Sequence, residues 1–96
     1  MALEILNLDE RFEIKGTLNK SNVEKFQLHF KDIFNHTSKL VINIDELKSV
    51  DSDGVLAFEE LYRQSKQHHK ALYITGLGCR DMYDHLKSMK VAQIKN

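Results

Sequence analysis

Leu3, Ile5 and Leu8 flank a polar Asn7-Leu8-Asp9-Glu10 turn, after which Phe12 and Ile14 alternate with Arg11, Glu13 and Lys15. Period-two alternation on both sides of a short turn predicts a hairpin of two strands. Gly16 and Asn19 are expected to end it. Ser21-Asn22-Val23-Glu24 then has the form of a capping box, in which the serine oxygen accepts from the amide three residues on and the glutamate reaches back. Behind it Val23, Phe26, Phe30, Ile33 and Phe34 recur at helical spacing, which predicts a helix over residues 22–35 closed by the polar His36-Thr37-Ser38.

Leu40-Val41-Ile42-Asn43-Ile44 is short and nearly continuously apolar, the pattern of a strand buried on both faces. A second helix is expected after Gly54, with Val55, Phe58, Leu61 and Tyr62 inward and the polar run 64–70 closing it. Ala71-Leu72-Tyr73-Ile74 reads as the next buried strand. Residues 81–89 read as a third helix with Met82, Leu86 and Met89 inside, and residues 91–94 as a last short strand. The predicted order is β-β-α-β-α-β-α-β, an α/β fold in which strands separated by helices run parallel and the opening antiparallel hairpin makes the sheet mixed. No repeat, linker or low-complexity run interrupts the chain, so residues 1–96 are expected to form one domain.

Composition narrows the function classes. Fourteen basic and 14 acidic side chains give a formal net charge of +0 and are interspersed, so no broad field exists to hold nucleic acid or an anionic membrane. Hydrophobic residues at 42 % and charged residues at 29 % are ordinary for a globular chain and argue against disorder. A single cysteine, Cys79, excludes an internal disulfide framework. No stretch approaches the roughly 20 apolar residues of a membrane span, so no direct membrane insertion is expected. Met1-Ala2-Leu3-Glu4 lacks the basic start of a signal peptide, and the expected location is cytoplasmic.

In open α/β sheets, function gathers where the carboxyl ends of strands meet helix starts. Two loops qualify: Asp45-Glu46-Leu47-Lys48-Ser49-Val50-Asp51-Ser52-Asp53-Gly54, and Gly76-Leu77-Gly78-Cys79-Arg80. In the first, Asp51, Ser52 and Asp53 are strong N-cap types and Gly54 permits a tight turn into the helix. Spacing alone describes a well-capped helix. An exposed serine there can also accept a phosphoryl group over free backbone amides, adding about −1.5 to −2 charges between two acids. In the second loop Asp81 occupies the third glycine position of a dinucleotide fingerprint, which leaves a turn and a helix start. His29, His36, His68, His69 and His85 show no metal-ligand spacing, and a lone Cys79 reads as a small apolar filler. Nothing places a base beside the Ser52 hydroxyl, and Asp45 lacks the acidic pair that would hold magnesium. The chain is therefore read as a non-enzyme that uses no cofactor or metal.

The segment 40–44, followed by Val50-Asp51-Ser52-Asp53-Gly54-Val55-Leu56-Ala57-Phe58, resembles the STAS domain, a family that includes the bacterial anti-sigma factor antagonists. Its hallmark is a buried strand, an apolar residue, Asp-Ser-Ser/Thr-Gly and an aliphatic helix start. The order of elements fits from residue 3 to about residue 94, and Gly16-Thr17-Leu18-Asn19 falls where the family has a Gly-Glu-Leu-Asp turn. The resemblance implies that Ser52 is phosphorylated by an anti-sigma factor that is also a serine kinase, that the unphosphorylated form binds this kinase, and that a phosphatase resets the cycle. It also implies a partner-binding surface made of Asp51, Ser52, Asp53, Gly54, Leu56, Thr17 and Asn19. Asp53 replaces the family's second hydroxyl, Leu56 replaces a usual glycine, and Thr17 and Asn19 stand where acids are common. The sequence stops at Asn96, so the last helix of longer antagonists is expected to be short or missing. The competing reading is a constitutive STAS subunit of a lipid or anion transporter assembly, in which Asp53 supplies a permanent charge and nothing is phosphorylated.

Overall fold

The computed structural model describes residues 2–9, 11–76, 78 and 92–94. Its elements are β1 (Glu4–Leu8), β2 (Arg11–Leu18), α1 (Val23–His29), a 3₁₀ turn (Ile33–Asn35), β3 (Lys39–Asn43), β4 (Leu47–Val50), α2 (Ser52–Gln67), β5 (Ala71–Thr75) and β6 (Ala92–Ile94). The sheet runs β1-β2-β3-β5-β6, with β4 paired to β2 off this path. The β1–β2 hairpin is antiparallel, and every other pairing is parallel. The expected mixed α/β sheet is therefore present. The expected third helix at 81–89 lies outside the described residues, as does Cys79.

The core is built by alternation. Ile14 and Leu18 from β2, Leu40 and Ile42 from β3, and Leu72 and Ile74 from β5 all turn inward with Phe26, Phe30, Phe58 and Leu61 of the helical layer. The ring of Phe26 lies 5.0 Å from both Phe30 and Phe58, so one aromatic cluster joins the two helices. Val41 and Tyr73, pointing the other way from β3 and β5, remain half-exposed. The apolar run in β3 is thus covered on one face more fully than on the other, where burial on both faces was expected.

Four local expectations are corrected. Gly16 does not end β2; it marks a bulge at which the strand changes partner. Phe12 and Glu13 pair with β3, the register shifts between Gly16 and Thr17, and residues 16–18 pair with β4. Gly16 sits at φ +90, and a Cβ there would lie 1.9 Å from the Ala2 carbonyl oxygen, so only glycine fits the bend.

The helix expected over 22–35 is broken. Asp32 adopts a left-handed conformation at φ 60, which a continuous right-handed helix does not contain. The stripe resumes in the 3₁₀ turn, where Phe34 is buried and stacks on His68.

The capping box does not form. Asn22 is the N-cap residue, but its side chain turns backward, accepting from the Asn19 amide at 2.9 Å and donating to the Thr17 carbonyl at 2.8 Å. Ser21 instead donates its hydroxyl to Asn19 Oδ1 at 2.6 Å.

The stretch expected as one long loop, 45–54, contains β4, and α2 begins at Ser52, two residues before Gly54. Leu47 anchors β4 by near-complete burial, and parallel pairing with β2 supplies its backbone bonds.

Candidate protein-contact site at the start of the second long helix

The edge pairing of β4 on β2 dictates the site. Because the two strands run parallel and end together, the turn leaving β2 and the turn leaving β4 lie side by side. The Asp51 amide donates to the Leu18 carbonyl at 3.1 Å, which continues the ladder into the turn. Asp51 then caps α2: its Oδ1 accepts from the Gly54 amide at 2.9 Å. Its Oδ2 accepts from the Lys20 amide at 2.9 Å, across the gap to the other turn. The Gly54 amide, and after it the Lys20 amide, hold the Asp51 carboxyl below the ordinary aspartate range.

The turn from Thr17 to Asn22 is equally constrained. Asn19 Oδ1 accepts from both the amide and the hydroxyl of Ser21, and Asn22 holds both ends of the turn. Ser49 on β4 donates to Thr17 Oγ1 at 3.1 Å, a second polar link between the two strands. Lys20 and Ser49 went unnoticed in the sequence. No local pattern marks them, because each matters only once β4 is recognised as a strand on β2.

Ser52 is the first residue of α2 and is exposed; its hydroxyl has no hydrogen-bond partner among the described residues. The helix start supplies backbone N–H groups with no partner inside the helix. Asp53 is half-buried beside it, and Leu56, one turn further along the same helix face, is 58 % exposed. Gly54 is buried. A Cβ at Gly54 would stand 2.5 Å from Val50 Cγ2 and 2.9 Å from the Leu18 carbonyl oxygen, so this glycine lets the helix settle onto the strand ends and offers no contact surface. The structure thus brings Thr17, Asn19, Asp51, Ser52, Asp53 and Leu56 to one end of the sheet, with Gly54 beneath them.

The second loop has a different character. Gly76 and Gly78 both have positive φ, and side chains there would strike the Asp45 carboxylate and the Ile44 carbonyl. Asn43 bonds Thr75 Oγ1 at 3.0 Å and accepts from the Asp45 amide at 3.1 Å, tying the ends of β3 and β5 together. These features build a tight turn. No cluster of three metal-ligating side chains occurs among the described residues.

The sequence profile of the STAS domain matches residues 5–93. Solved structures share the fold. The anti-sigma factor antagonist SpoIIAA in its unphosphorylated form superposes with a TM-score of 0.76 at 17 % identity, covering 99 % of this chain and 89 % of that one. The Bacillus cell fate determinant SpoIIAA in the phosphorylated form gives 0.79 at 17 % identity, covering 99 % and 91 %. A serine-to-glutamate variant of RsbS from Moorella thermoacetica gives 0.67 at 19 % identity, covering 100 % and 88 %. No curated protein matches the chain in sequence.

Proposed function

Because this chain belongs to the STAS domain family, we propose that it is a regulatory protein-binding module, a phosphoswitch like the anti-sigma factor antagonists, centred on Ser52. One observation carries the reading: the Ser52 hydroxyl is exposed and unbonded among the described residues, while the residues around it are pinned by hydrogen bonds. A rigid rim with one free hydroxyl suits a surface read by a partner before and after modification.

The chemistry follows from position. A phosphoryl group on Ser52 adds about −1.5 to −2 charges at pH 7. The helix start favours that charge, whereas Asp51 and Asp53 oppose it. The two effects are of similar order, so the fold survives and the surface changes sign of preference. The unphosphorylated face, with Leu56 and the 17–19 turn beside Ser52, binds an anti-sigma factor serine kinase; the phosphorylated face releases it until a phosphatase removes the group. The protein acts as substrate and ligand and supplies no catalytic group.

Incubation with the cognate serine kinase and ATP tests this. Wild-type protein should gain phosphate on the peptide bearing Ser52, and Ser52→Ala should stay unlabelled by mass spectrometry. Label confined to any other residue would overturn the reading.

A further inference from the structure

The strand β1 forms one edge of the sheet, paired with β2 on one side and with no described strand on the other. Leu8 and Arg11 close its hairpin through two residues, with Asp9 left-handed at φ 61, as the tight twisted turns of such hairpins require. The closing pair of such a turn exchanges both backbone bonds, and bonded and non-bonded pairs alternate from there. Leu8, Leu6 and Glu4 therefore direct their backbone groups at β2, and the N–H and C=O groups of Ile5 and Asn7 face outward. Natural edges are commonly blunted by lysine, proline or a bulge. Glu4-Ile5-Leu6-Asn7-Leu8 has no lysine or proline, pairs with β2 in unbroken register, and carries Leu8 at 42 % exposure.

We propose that β1 pairs antiparallel with β1 of a second copy of this chain, with Leu6 opposite Leu6 on the two-fold axis. In this register Ile5 faces Asn7 and Glu4 faces Leu8 of the other copy, so every residue of both strands has a partner. The outward groups of Ile5 and Asn7 meet those of Asn7 and Ile5, and the central leucines form a non-bonded pair, where side chains approach most closely.

Charge favours a second copy as the occupant. Within the hairpin Glu4 is opposite Lys15, Leu6 opposite Glu13, and Leu8 opposite Arg11. Across the joint the rows become Lys15-Glu4-Leu8-Arg11 and Glu13-Leu6-Leu6-Glu13. Each Glu4 lies between its own Lys15 and the other copy's uncharged Leu8, and two leucines separate the Glu13 side chains, each of which pairs with its own Arg11 at 3.4 Å. No like charges stand directly opposite one another.

Sedimentation velocity over a concentration series tests the pairing. The average mass should rise from that of the monomer toward twice that value, and Leu6→Lys, which opposes two ammonium groups at the axis, should abolish the rise. A non-bonded pair holds its Cα atoms about 4.5 Å apart, within disulfide range. Mild oxidation should therefore cross-link Leu6→Cys well above the wild-type chain, whose Cys79 sets the baseline, and should leave Asn7→Cys at that baseline. The cross-linking comparison decides alone if Leu6→Lys fails to fold by circular dichroism. A monomer at every concentration, a dimer untouched by Leu6→Lys, or equal cross-linking of both cysteine variants would each overturn the proposal.

Discussion

Asp51 and Lys20 join the two turns at the end of the sheet through one hydrogen bond: Asp51 Oδ2 accepts from the Lys20 amide at 2.9 Å. The same carboxylate caps α2 with its other oxygen, on the Gly54 amide. A single side chain therefore sets both the start of the helix and the position of the neighbouring turn.

Replacing that side chain should separate its two jobs. Asparagine is as good an N-cap as aspartate but has a single acceptor oxygen, so Asp51→Asn should retain the cap and lose the bond to Lys20. Asp51→Ala loses both. Thermal melting should rank wild type above Asp51→Asn, and Asp51→Asn above Asp51→Ala. Equal melting temperatures for the two variants would mean that the cap does not stabilise the helix.

The same carboxylate makes stability depend on pH in a known direction. Its pKa in the fold lies below the ordinary value of 3.8, first because of the Gly54 amide and then because of Lys20. A depressed acid contributes stability that is full above its unfolded value and lost as pH falls through the folded one. The difference in melting temperature between wild type and Asp51→Asn should thus hold at neutral pH and shrink as the pH drops below 3.8. A difference that grows on acidification would contradict the bonding pattern.

Gly54 should resist substitution by crowding alone. Its φ is ordinary, but a Cβ would sit 2.9 Å from the Leu18 carbonyl oxygen, a backbone atom that cannot swing aside. Overpacking of this kind typically costs about 1–3 kcal/mol. Gly54→Ala should lower the melting temperature and Gly54→Val should lower it further, as read by calorimetry. An unchanged curve for Gly54→Ala would mean that α2 can lift off the strand ends without loss.

Charge at Ser52 separates a switch from a constant interface. A partner fitted to the neutral hydroxyl must bury an unpaired carboxylate in Ser52→Asp, which commonly costs about 2–5 kcal/mol. That is roughly 30- to several-thousand-fold in affinity. Titration of the cognate kinase should find Ser52→Ala bound like wild type and Ser52→Asp released. Equal affinities would favour the constitutive subunit of a transporter assembly, whose contacts bypass the hydroxyl.

The readable parts of this protein are those whose pattern is written within one turn or one strand. Alternation at Phe12 and Ile14, the run at Leu40 to Ile42, and the cluster Asp51-Ser52-Asp53-Gly54 each report on their own few neighbours. Burial of one face and the need to satisfy the first helical amides act over that range, so the hairpin, β3, β5, the body of α2 and its polar start follow from order along the chain. The tertiary structure alone decided what is non-local. Leu47-Lys48-Ser49-Val50 has too weak a pattern to declare itself, and becomes β4 because β2 offers it backbone partners. The bulge at Gly16 exists because β2 must serve β3 first and β4 afterwards. Gly54 is required because Leu18 and Val50 lie beneath it, and the capping residue Asp51 is tied to the neighbouring turn because the Lys20 amide, 31 residues away in sequence, donates to its second oxygen. Periodicity records which face of an element is buried, but it carries no record of which distant backbone that face will meet.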